Sequence, residues 1–279
     1  MKNILVPTDF SKCAQIASEL ALEMAKKANA EIHFLHLLMT PVDWVNLPKE
    51  EEDNFHETKK EIGYAKSELS KLKRKAEKMG LIAKDFLVFD KGREEIDAHT
   101  QHHKHDFIVM GSNGAKGFKG MLGSNAQRVI QTSTVPVLII KKKVKTFDIK
   151  NILFASTFEE EAIEAFKRIL KFSGSMNADV QLLNVITPHN FKETDDALND
   201  MQSFLNLSAG KGNKGRTYIY NAKTEEKGIL KFSQENKIDV IVLATHGKSG
   251  FKKIFSPSIT EKVINQSEIP VLSLNLKTH

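Results

Sequence analysis

Residues 3–10 read NILVPTDF, and 148 positions later residues 151–158 read NILFASTF. Three more pairs of segments recur in the same order along the chain: AEIHFLH at 30–36 with ADVQLLN at 178–184, DFIVM at 106–110 with DVIVL at 239–243, and STVPVL at 133–138 with SEIPVL at 267–272. The offset falls by 15 after the second pair because the middle of the second copy is shorter. Four matches in one order indicate a tandem duplication.

Each copy alternates short apolar segments with amphipathic ones. The apolar segments are typical of parallel strands covered on both faces, and they lie at 3–6, 32–38, 86–89, 107–110 and 135–140, and again at 151–154, 180–186, 217–220, 240–243 and 270–275. Ser11 is placed to cap the first helix and Gly80 to end the second, and further helices are predicted at 93–104, 124–132, 159–172, 194–208 and 258–266.

Strands that alternate with helices predict right-handed βαβ units. The sequence therefore predicts an α/β protein of two tandem, doubly wound domains, each with a parallel sheet. A polar, lysine-rich stretch at 141–150 is the natural boundary and gives domains 1–146 and 147–279. The last strands of both domains are apolar edges that should not stay bare, so we expect them to pair antiparallel within the chain.

The composition limits the classes of protein that fit this chain. Its 279 residues carry 41 Lys and Arg against 35 Asp and Glu, which gives a net charge of +6, and contain a single cysteine, Cys13. This mix excludes disordered, collagen-like and disulfide-stapled proteins. Without a secretory leader or an apolar run near the roughly 20 residues of a bilayer span, we expect a cytoplasmic protein with no membrane partner. Lysines alternate with glutamates along 59–71, as on a solvated helix face, so we expect no nucleic-acid partner.

Candidate binding residues lie where the strands of the first copy end. The first strand ends in Pro7–Asp9, the second at His36–Leu37, and the fourth runs into a glycine-rich stretch, 111–123, followed by Ser124–Asn125. In open parallel sheets, ligands bind outside these strand ends, and glycine loops before a helix bring N–H groups close to an anion. The stretch could cradle a polyphosphate while Asp9 meets a ribose hydroxyl or a phosphate-bound magnesium ion. The alternative is a tight turn with Asp9 as a cap, and no GxxxxGK[ST] loop is present.

These segments resemble a tandem universal stress protein over essentially the full chain. The resemblance rests on ILVPTDFS at 4–11, IVMGSNG at 108–114 with a downstream Gly-Ser, and VPVLII at 135–140. It implies two five-stranded domains related to nucleotide-binding folds, whose fifth strands pair about a pseudo-twofold axis. It also implies ATP as ligand, through a G-x2-G-x9-G-[ST] motif after the fourth strand.

Carried over by position, the resemblance implies two sets of contacts. Adenine and ribose would lie near Pro7, Thr8, Asp9, Leu37 and Met110. Phosphates would contact Gly111, Gly114, Gly123, Ser124, Asn125 and Ala126. The sequence departs from the motif because eight residues, 115–122, separate the second and third glycines.

The second copy departs further from the motif. Thr157 replaces the aspartate, Ala244 replaces the first glycine, and Pro257, which has no N–H, stands at the third. We therefore expect ATP in the first domain only, in a nucleotide-responsive binding module with at most slow hydrolysis. The alternative is an interaction scaffold without nucleotide, and a protein partner or a homodimer is left open.

Three further features are interpreted as structural and not as functional sites. His99, His102, His103 and His105 crowd one helix end, and His99 and His103 have the spacing of a two-histidine metal site. No further ligand is evident, so we interpret them as a solvated polar face. Cys13 lies in the first turn of a helix, where a redox role is the alternative to a plain, partly exposed thiol. Trp44 lies in a loop that we expect to pack over its own domain.

Overall fold

The strands of both copies come together in one sheet. The computed structural model describes residues 1–90, 96–112, 122–143, 148–209, 216–245 and 256–276. In the first repeat (residues 1–143) the strands are β1 (Asn3–Pro7), β2 (Glu31–Met39), β3 (Ala83–Asp90), β4 (Phe107–Gly111) and β5 (Val137–Ile140). In the second repeat (residues 148–276) they are β6 (Asn151–Ala155), β7 (Asp179–Ile186), β8 (Arg216–Asn221), β9 (Val240–Thr245) and β10 (Val271–Asn275). The boundary predicted at 146/147 falls on 144–147, outside the described residues.

Helices connect successive strands in each repeat. The first repeat contains α1 (Lys12–Ala28), α2 (His56–Lys78), α3 (Ile96–His102) and α4 (Ser124–Thr132). The second contains α5 (Ile163–Met176), α6 (Thr194–Ala209), α7 (Glu225–Glu235) and α8 (Pro257–Gln266). Short 3-10 turns occur at Trp44–Asn46, Lys49–Asn54 and Glu160–Ala162. Throughout the described ranges, every helix is too short or too polar to cross a membrane.

The strand order confirms the doubly wound α/β fold. It runs β3-β2-β1-β4-β5-β10-β9-β6-β7-β8. In each repeat the order in which the chain adds strands to the sheet therefore reverses once, between β1 and β4 in the first repeat and between β6 and β9 in the second. The strands within each repeat are parallel, whereas β5 and β10 pair antiparallel, as predicted. The pairing places Leu138 opposite Leu272, which are equivalent residues in the STVPVL and SEIPVL segments. The two repeats are therefore related by a pseudo-twofold axis at this pair.

The apolar strands supply a core on each face of the sheet. Ile4 and Val6 lie in one core and Leu5 lies in the other, as strand alternation requires. Each core runs through both repeats, and across the repeat boundary Phe107 stacks on Phe172 with ring centroids 5.4 Å apart. Because both faces are buried, the strands need no polar alternation, which explains their continuous apolar sequence.

Hydrogen bonds between the repeats follow the same pseudo-symmetry. The Lys141 ammonium donates to the carbonyl of Asn265, and the Asn275 amide donates to the carbonyl of Gln131 at 2.9 Å. These are equivalent pairs, each joining the end of the last strand of one repeat, or the residue after it, to the last helix of the other repeat. Near the axis, Gln127 and Gln131 both donate to one carboxylate oxygen of Glu261, each at 3.0 Å. The interface thus combines a buried apolar ladder with directional contacts at its rim.

The helix ends match the sequence analysis at α1, α2 and α4 and differ by one residue at one end of α6 and α8, whereas α5 begins later than predicted. Ser11 caps α1 by accepting from the Ala14 N–H at 3.3 Å, and Gly80 follows α2 with φ at +79°. The helix predicted at 159–172 begins only at Ile163, after a 3-10 turn. Helix α7 was not predicted, because Ile229, Leu230 and Phe232 alone give too short an apolar pattern over its 11 residues.

Two glycines in helices should respond oppositely to alanine. A Cβ on Gly228 of α7 would lie 2.4 Å from Val185 Cγ1, whereas one on Gly63 of α2 meets nothing within 4 Å. We expect Gly63→Ala to stabilise the protein by about 0.5–1 kcal/mol through helix propensity. We expect Gly228→Ala to destabilise it by about 1–3 kcal/mol, because overpacking against a stiff, buried valine outweighs that gain. Urea denaturation of both variants decides this, and a stabilised Gly228→Ala would show that α7 moves freely on β7.

Candidate functional site

The predicted site residues meet where the strand order of the first repeat reverses, between β1 and β4. The ends of β1, β2 and β4 converge there, carrying Pro7 and Thr8, Leu37, and Met110 and Gly111 respectively. This is the topological switch point, the usual ligand position in a doubly wound sheet. Pro7, Thr8 and Met110 are buried, and Leu37 is half-buried against the core.

The turn after β1 is held by its own side chains. Thr8 Oγ1 accepts from the Phe10 N–H at 3.0 Å, and Asp9 Oδ1 accepts from the Ser11 N–H at 3.1 Å. The Thr8 carbonyl accepts from His36 Nδ1 at 2.7 Å, which ties the turn to the end of β2. Phe10 takes the left-handed conformation, with φ at +60°. The turn leaves the Asp9 side chain exposed at the rim while one of its oxygens organises the start of α1.

The end of β4 is packed closely against α1. A Cβ on Gly111 would lie 3.0 Å from both the carbonyl carbon and the sulfur of Cys13. Gly111 is therefore tightly packed against α1, whatever its relation to a ligand, and a side chain there would force its neighbours to shift. In the second repeat Ala244 takes this place, and the residues equivalent to the first turn of α1 form the 3-10 turn that delays α5. The methyl group of Ala244 at the end of β9 thus occurs together with a later start of α5.

The start of α4 differs in part from the expectation. The Gly123 N–H donates to the Ser112 carbonyl at 2.7 Å, so this predicted phosphate donor has an internal partner. Ser124 and Asn125 are exposed at the first turn, Ala126 is buried, and no described side chain caps the helix. Among the described residues no partner is found for the N–H groups of Ser124 and Asn125, and a helix start carries the positive end of the dipole. Gly114 lies outside the described residues.

Sequence reasoning missed an aromatic group beside the site. Phe10 stacks on His36 with centroids 4.5 Å apart, and Tyr64 of α2 meets Phe10 edge-on at 5.7 Å. The TDF segment gave no hint of it, since the stack needs a left-handed phenylalanine. Trp44 packs as expected over its own repeat, near Phe55 and Phe89.

Cys13 is directed into the protein from the first turn of α1. Its thiol donates to the Ile140 carbonyl, with the sulfur 3.3 Å from the oxygen, and the residue is half-buried. That contact joins α1 to the last strand of the first repeat. Packing and this contact are therefore sufficient to explain a cysteine at this position.

The second repeat copies the turn but fills the space around it. Ser156 Oγ accepts from the Phe158 N–H at 3.1 Å, and Phe158 has φ at +61°. Unlike Phe10, Phe158 is buried, with its ring 5.3 Å from that of Phe204. Thr157 stands where Asp9 does, and Pro257 occupies the first turn of α8.

The loop after β7 is also bonded to itself. Asn190 Oδ1 accepts from both the N–H and the hydroxyl of Thr187 at 2.6 Å. These contacts tie the loop to the end of its own strand. With Thr157 in place of Asp9 and Pro257 in the first turn of α8, the second switch point does not have the carboxylate and the helix-start N–H found at the first.

The interpretation of the histidines as a solvated face is wrong for two of them. His99 and His105 are only 5% and 4% exposed, because His99 packs against Phe86 of β3 and His105 against His33 of β2. The structure also adds His33 of β2, which contacts His105. No group of three or more His, Cys, Asp or Glu side chains in the described residues is arranged to hold a metal ion.

Comparison with known proteins gives one consistent result. The model of the universal stress protein family matches residues 1–141 and again residues 148–274. Universal stress protein Slr1230 of Synechocystis is 27% identical over 297 aligned positions, which cover 98% of this chain and 99% of that protein. Universal stress protein MJ0577 of Methanocaldococcus jannaschii is 32% identical over 157 positions, covering 51% of this chain and 96% of that protein. The crystal structure of a universal stress protein from Archaeoglobus fulgidus has the same fold, with a TM-score of 0.76 at 22% identity over 99% of this chain and 98% of that one.

Proposed function

The chain belongs to the universal stress protein family, and on that basis we propose that its first repeat binds ATP while its second serves as structural partner. The observation that carries the proposal is the meeting, at one switch point, of an exposed carboxylate and a helix start that no described side chain caps. Asp9 lies in the turn after β1, and Ser124 and Asn125 open α4 beyond β4. The proposed domains are 1–146 and 147–279.

Each group has a role that suits one part of the nucleotide. The first-turn amides of α4 would donate to phosphate oxygens, favoured by the helix dipole. The Asp9 carboxylate would accept from a ribose hydroxyl, and as a hard oxygen ligand it also suits a phosphate-bound Mg²⁺. Leu37 and Met110 offer apolar surface for the base. Gly114 completes the proposed set, together with Pro7, Thr8, Gly111, Gly123 and Ala126.

The differences between the repeats support a single nucleotide site. Thr157 has no charge for ribose or metal, and Pro257 has no N–H for a phosphate. Phe158 is buried where Phe10 is only half-buried. The second repeat instead covers the β5 edge, which a single domain would leave bare.

The proposed activity is nucleotide-dependent binding rather than fast turnover. Phosphoryl transfer needs an oriented water and charge stabilisation beyond a phosphate cradle. In the described part of the first switch point, the one carboxylate at a strand end is Asp9, and it already organises the turn into α1. Any hydrolysis would therefore be slow, and the state of the nucleotide would govern a stress-related partner.

Charge at the start of α4 tests the proposal. Ser124→Asp should favour the helix through its dipole but repel a triphosphate, so we expect ATP affinity to fall at least about tenfold with no loss of stability. Ser258→Asp makes the same change at the equivalent position of α8 and should leave affinity unchanged. Titration calorimetry with ATP and Mg²⁺ measures both.

The competing function is a scaffold without nucleotide, and the occupied Gly123 N–H favours it. No heat from the wild-type chain at millimolar ATP would establish the scaffold and defeat ATP binding. Equal loss of affinity in Ser124→Asp and Ser258→Asp would place the nucleotide elsewhere.

A further inference from the structure

A cluster of four histidines lies between the sheet and α3 in the first repeat. His33 Nδ1 and His105 Nε2 are 2.8 Å apart, and the His99 ring stacks on that of His105 with centroids 5.7 Å apart. His103 lies 4.3 Å from His99, centroid to centroid, and both line a cavity of about 640 Å³ together with Phe86. His99 Nε2 and His105 Nδ1 are buried without a hydrogen-bond partner among the described atoms. Buried polar atoms without a hydrogen-bond partner are rare in folded proteins.

The second repeat shows that packing does not require imidazoles here. Phe232 stands at the position of His99 and Ile238 at that of His105, since both pairs share one backbone pattern. The His105 N–H donates to the Thr100 carbonyl and the Ile238 N–H to that of Ser233, and the residues before them, Lys104 and Lys237, have φ at +53° and +52°.

The ring contacts are equivalent as well. Phe86 and His99 have centroids 4.9 Å apart, and Tyr218 and Phe232 have centroids 5.0 Å apart. A phenyl ring therefore fits the site of His99 without a change in geometry. The two buried histidines add proton binding to a position that an apolar side chain can fill.

Few charges are available to balance a proton on this cluster. From β2, Glu31 contacts His33 Nε2 at 3.3 Å but shares the same oxygen with Lys84 of β3. On α3, one oxygen of Asp97 accepts from Gln101 and the other is buried without a described partner. His102 is exposed, and Asp85 of β3 pairs with Lys73.

The connection to β4 and the neighbouring helix offer no better balance. Asp106 accepts from the N–H groups of Lys2 and Asn3 at 2.7 and 3.1 Å, and Lys104 adds a positive charge. Arg128, the one charged residue of α4, is exposed. A cation formed inside the cluster would be poorly compensated.

We infer that this histidine cluster (His33, His99, His103 and His105) is an acid-sensitive lock on α3. While the imidazoles are neutral, α3 stays on the sheet; protonation of His99 and His105 releases α3 and its connection to β4. The helix suits this role because it has only seven residues and joins the core chiefly through Ile96 and Thr100. Short elements with few buried contacts open first.

The pKa values of the two buried histidines are shifted in the direction that this inference requires. Burial, with a smaller contribution from the nearby His103 and His102, lowers the pKa of His99 to about 4. Burial likewise lowers the pKa of His105 to about 3, with His33 and His99 contributing. Well above pH 6.5 both residues are neutral whether α3 is closed or open, so neither changes the equilibrium between the two forms. As the pH falls below 6.5 the open form takes up protons that the closed form resists, and closure weakens until the pH reaches the folded values.

Hydrogen–deuterium exchange of the full-length chain tests the lock. Comparing pH 7.5 with pH 5.0, corrected for intrinsic exchange rates, we expect the amides of 96–106 to lose about 30-fold in protection for each histidine released. Helix α7 of the same molecule, with no histidine, is the internal control and should keep its protection. Equal behaviour of 96–106 and α7 would overturn the inference.

Variants separate proton binding from general acid sensitivity. His99→Phe with His105→Ile installs the residues of the second repeat and should abolish the acid response of 96–106. His102→Gln, an exposed change on the same helix, should leave it intact. An acid response that survives in a folded double variant would show that other groups drive it. Should the double variant fail to fold at pH 7.5, His99→Phe alone should reduce the response about 30-fold, and an undiminished response would again contradict the lock.

Discussion

Leu272→Asp is expected to lower the free energy of unfolding by about 5 kcal/mol, since it places a carboxylate in the middle of the sheet. Leu272 is 1% exposed, belongs to the core that spans both repeats and pairs with Leu138 on the pseudo-twofold axis. The described neighbours on β5 and β9 are apolar, so the new charge has no partner there. Guanidinium denaturation followed by circular dichroism gives the difference.

A matched exposed substitution controls for the change in net charge. Leu207 of α6 is 69% exposed, and Leu207→Asp should alter stability by no more than about 0.5 kcal/mol. Similar denaturation midpoints for Leu272→Asp and the wild-type chain would mean that the sheet is not continuous through β5 and β10.

Residues 1–146 expressed alone are expected to form a dimer. Without the second repeat, β5 becomes an apolar edge strand, and such edges recruit another strand. The register allows self-pairing, because Leu138 already lies opposite its own equivalent, Leu272. A second copy of the fragment can therefore supply the same contact about a true twofold axis. Light scattering after gel filtration should give twice the fragment mass.

The full-length chain provides the control for this fragment. Its β5 edge is occupied by β10, so it should not capture labelled fragment when the two are mixed. A folded fragment that stays monomeric at high concentration would contradict the role assigned to the β5 edge.

The sequence by itself determined the repeat, the doubly wound fold and the antiparallel pairing of the last strands. These follow from local patterns: apolar runs define buried parallel strands, and Ser11 and Gly80 mark helix ends through backbone chemistry that acts within a few residues. It also predicted where the proposed site lies, because β1, β2 and β4 end at the same edge in any such fold.

Only the tertiary structure decided which side chains and amides are already occupied. Gly111 proved to be a packing residue against Cys13, the Gly123 N–H was found bonded to Ser112, and the expected solvated histidines proved to include two buried ones. His33 and His105 lie 72 residues apart in sequence, and imidazole is as compatible with water as with a core, so no local pattern predicts their contact. Periodicity reports which face of an element is apolar, whereas partners across the fold depend on how distant segments pack.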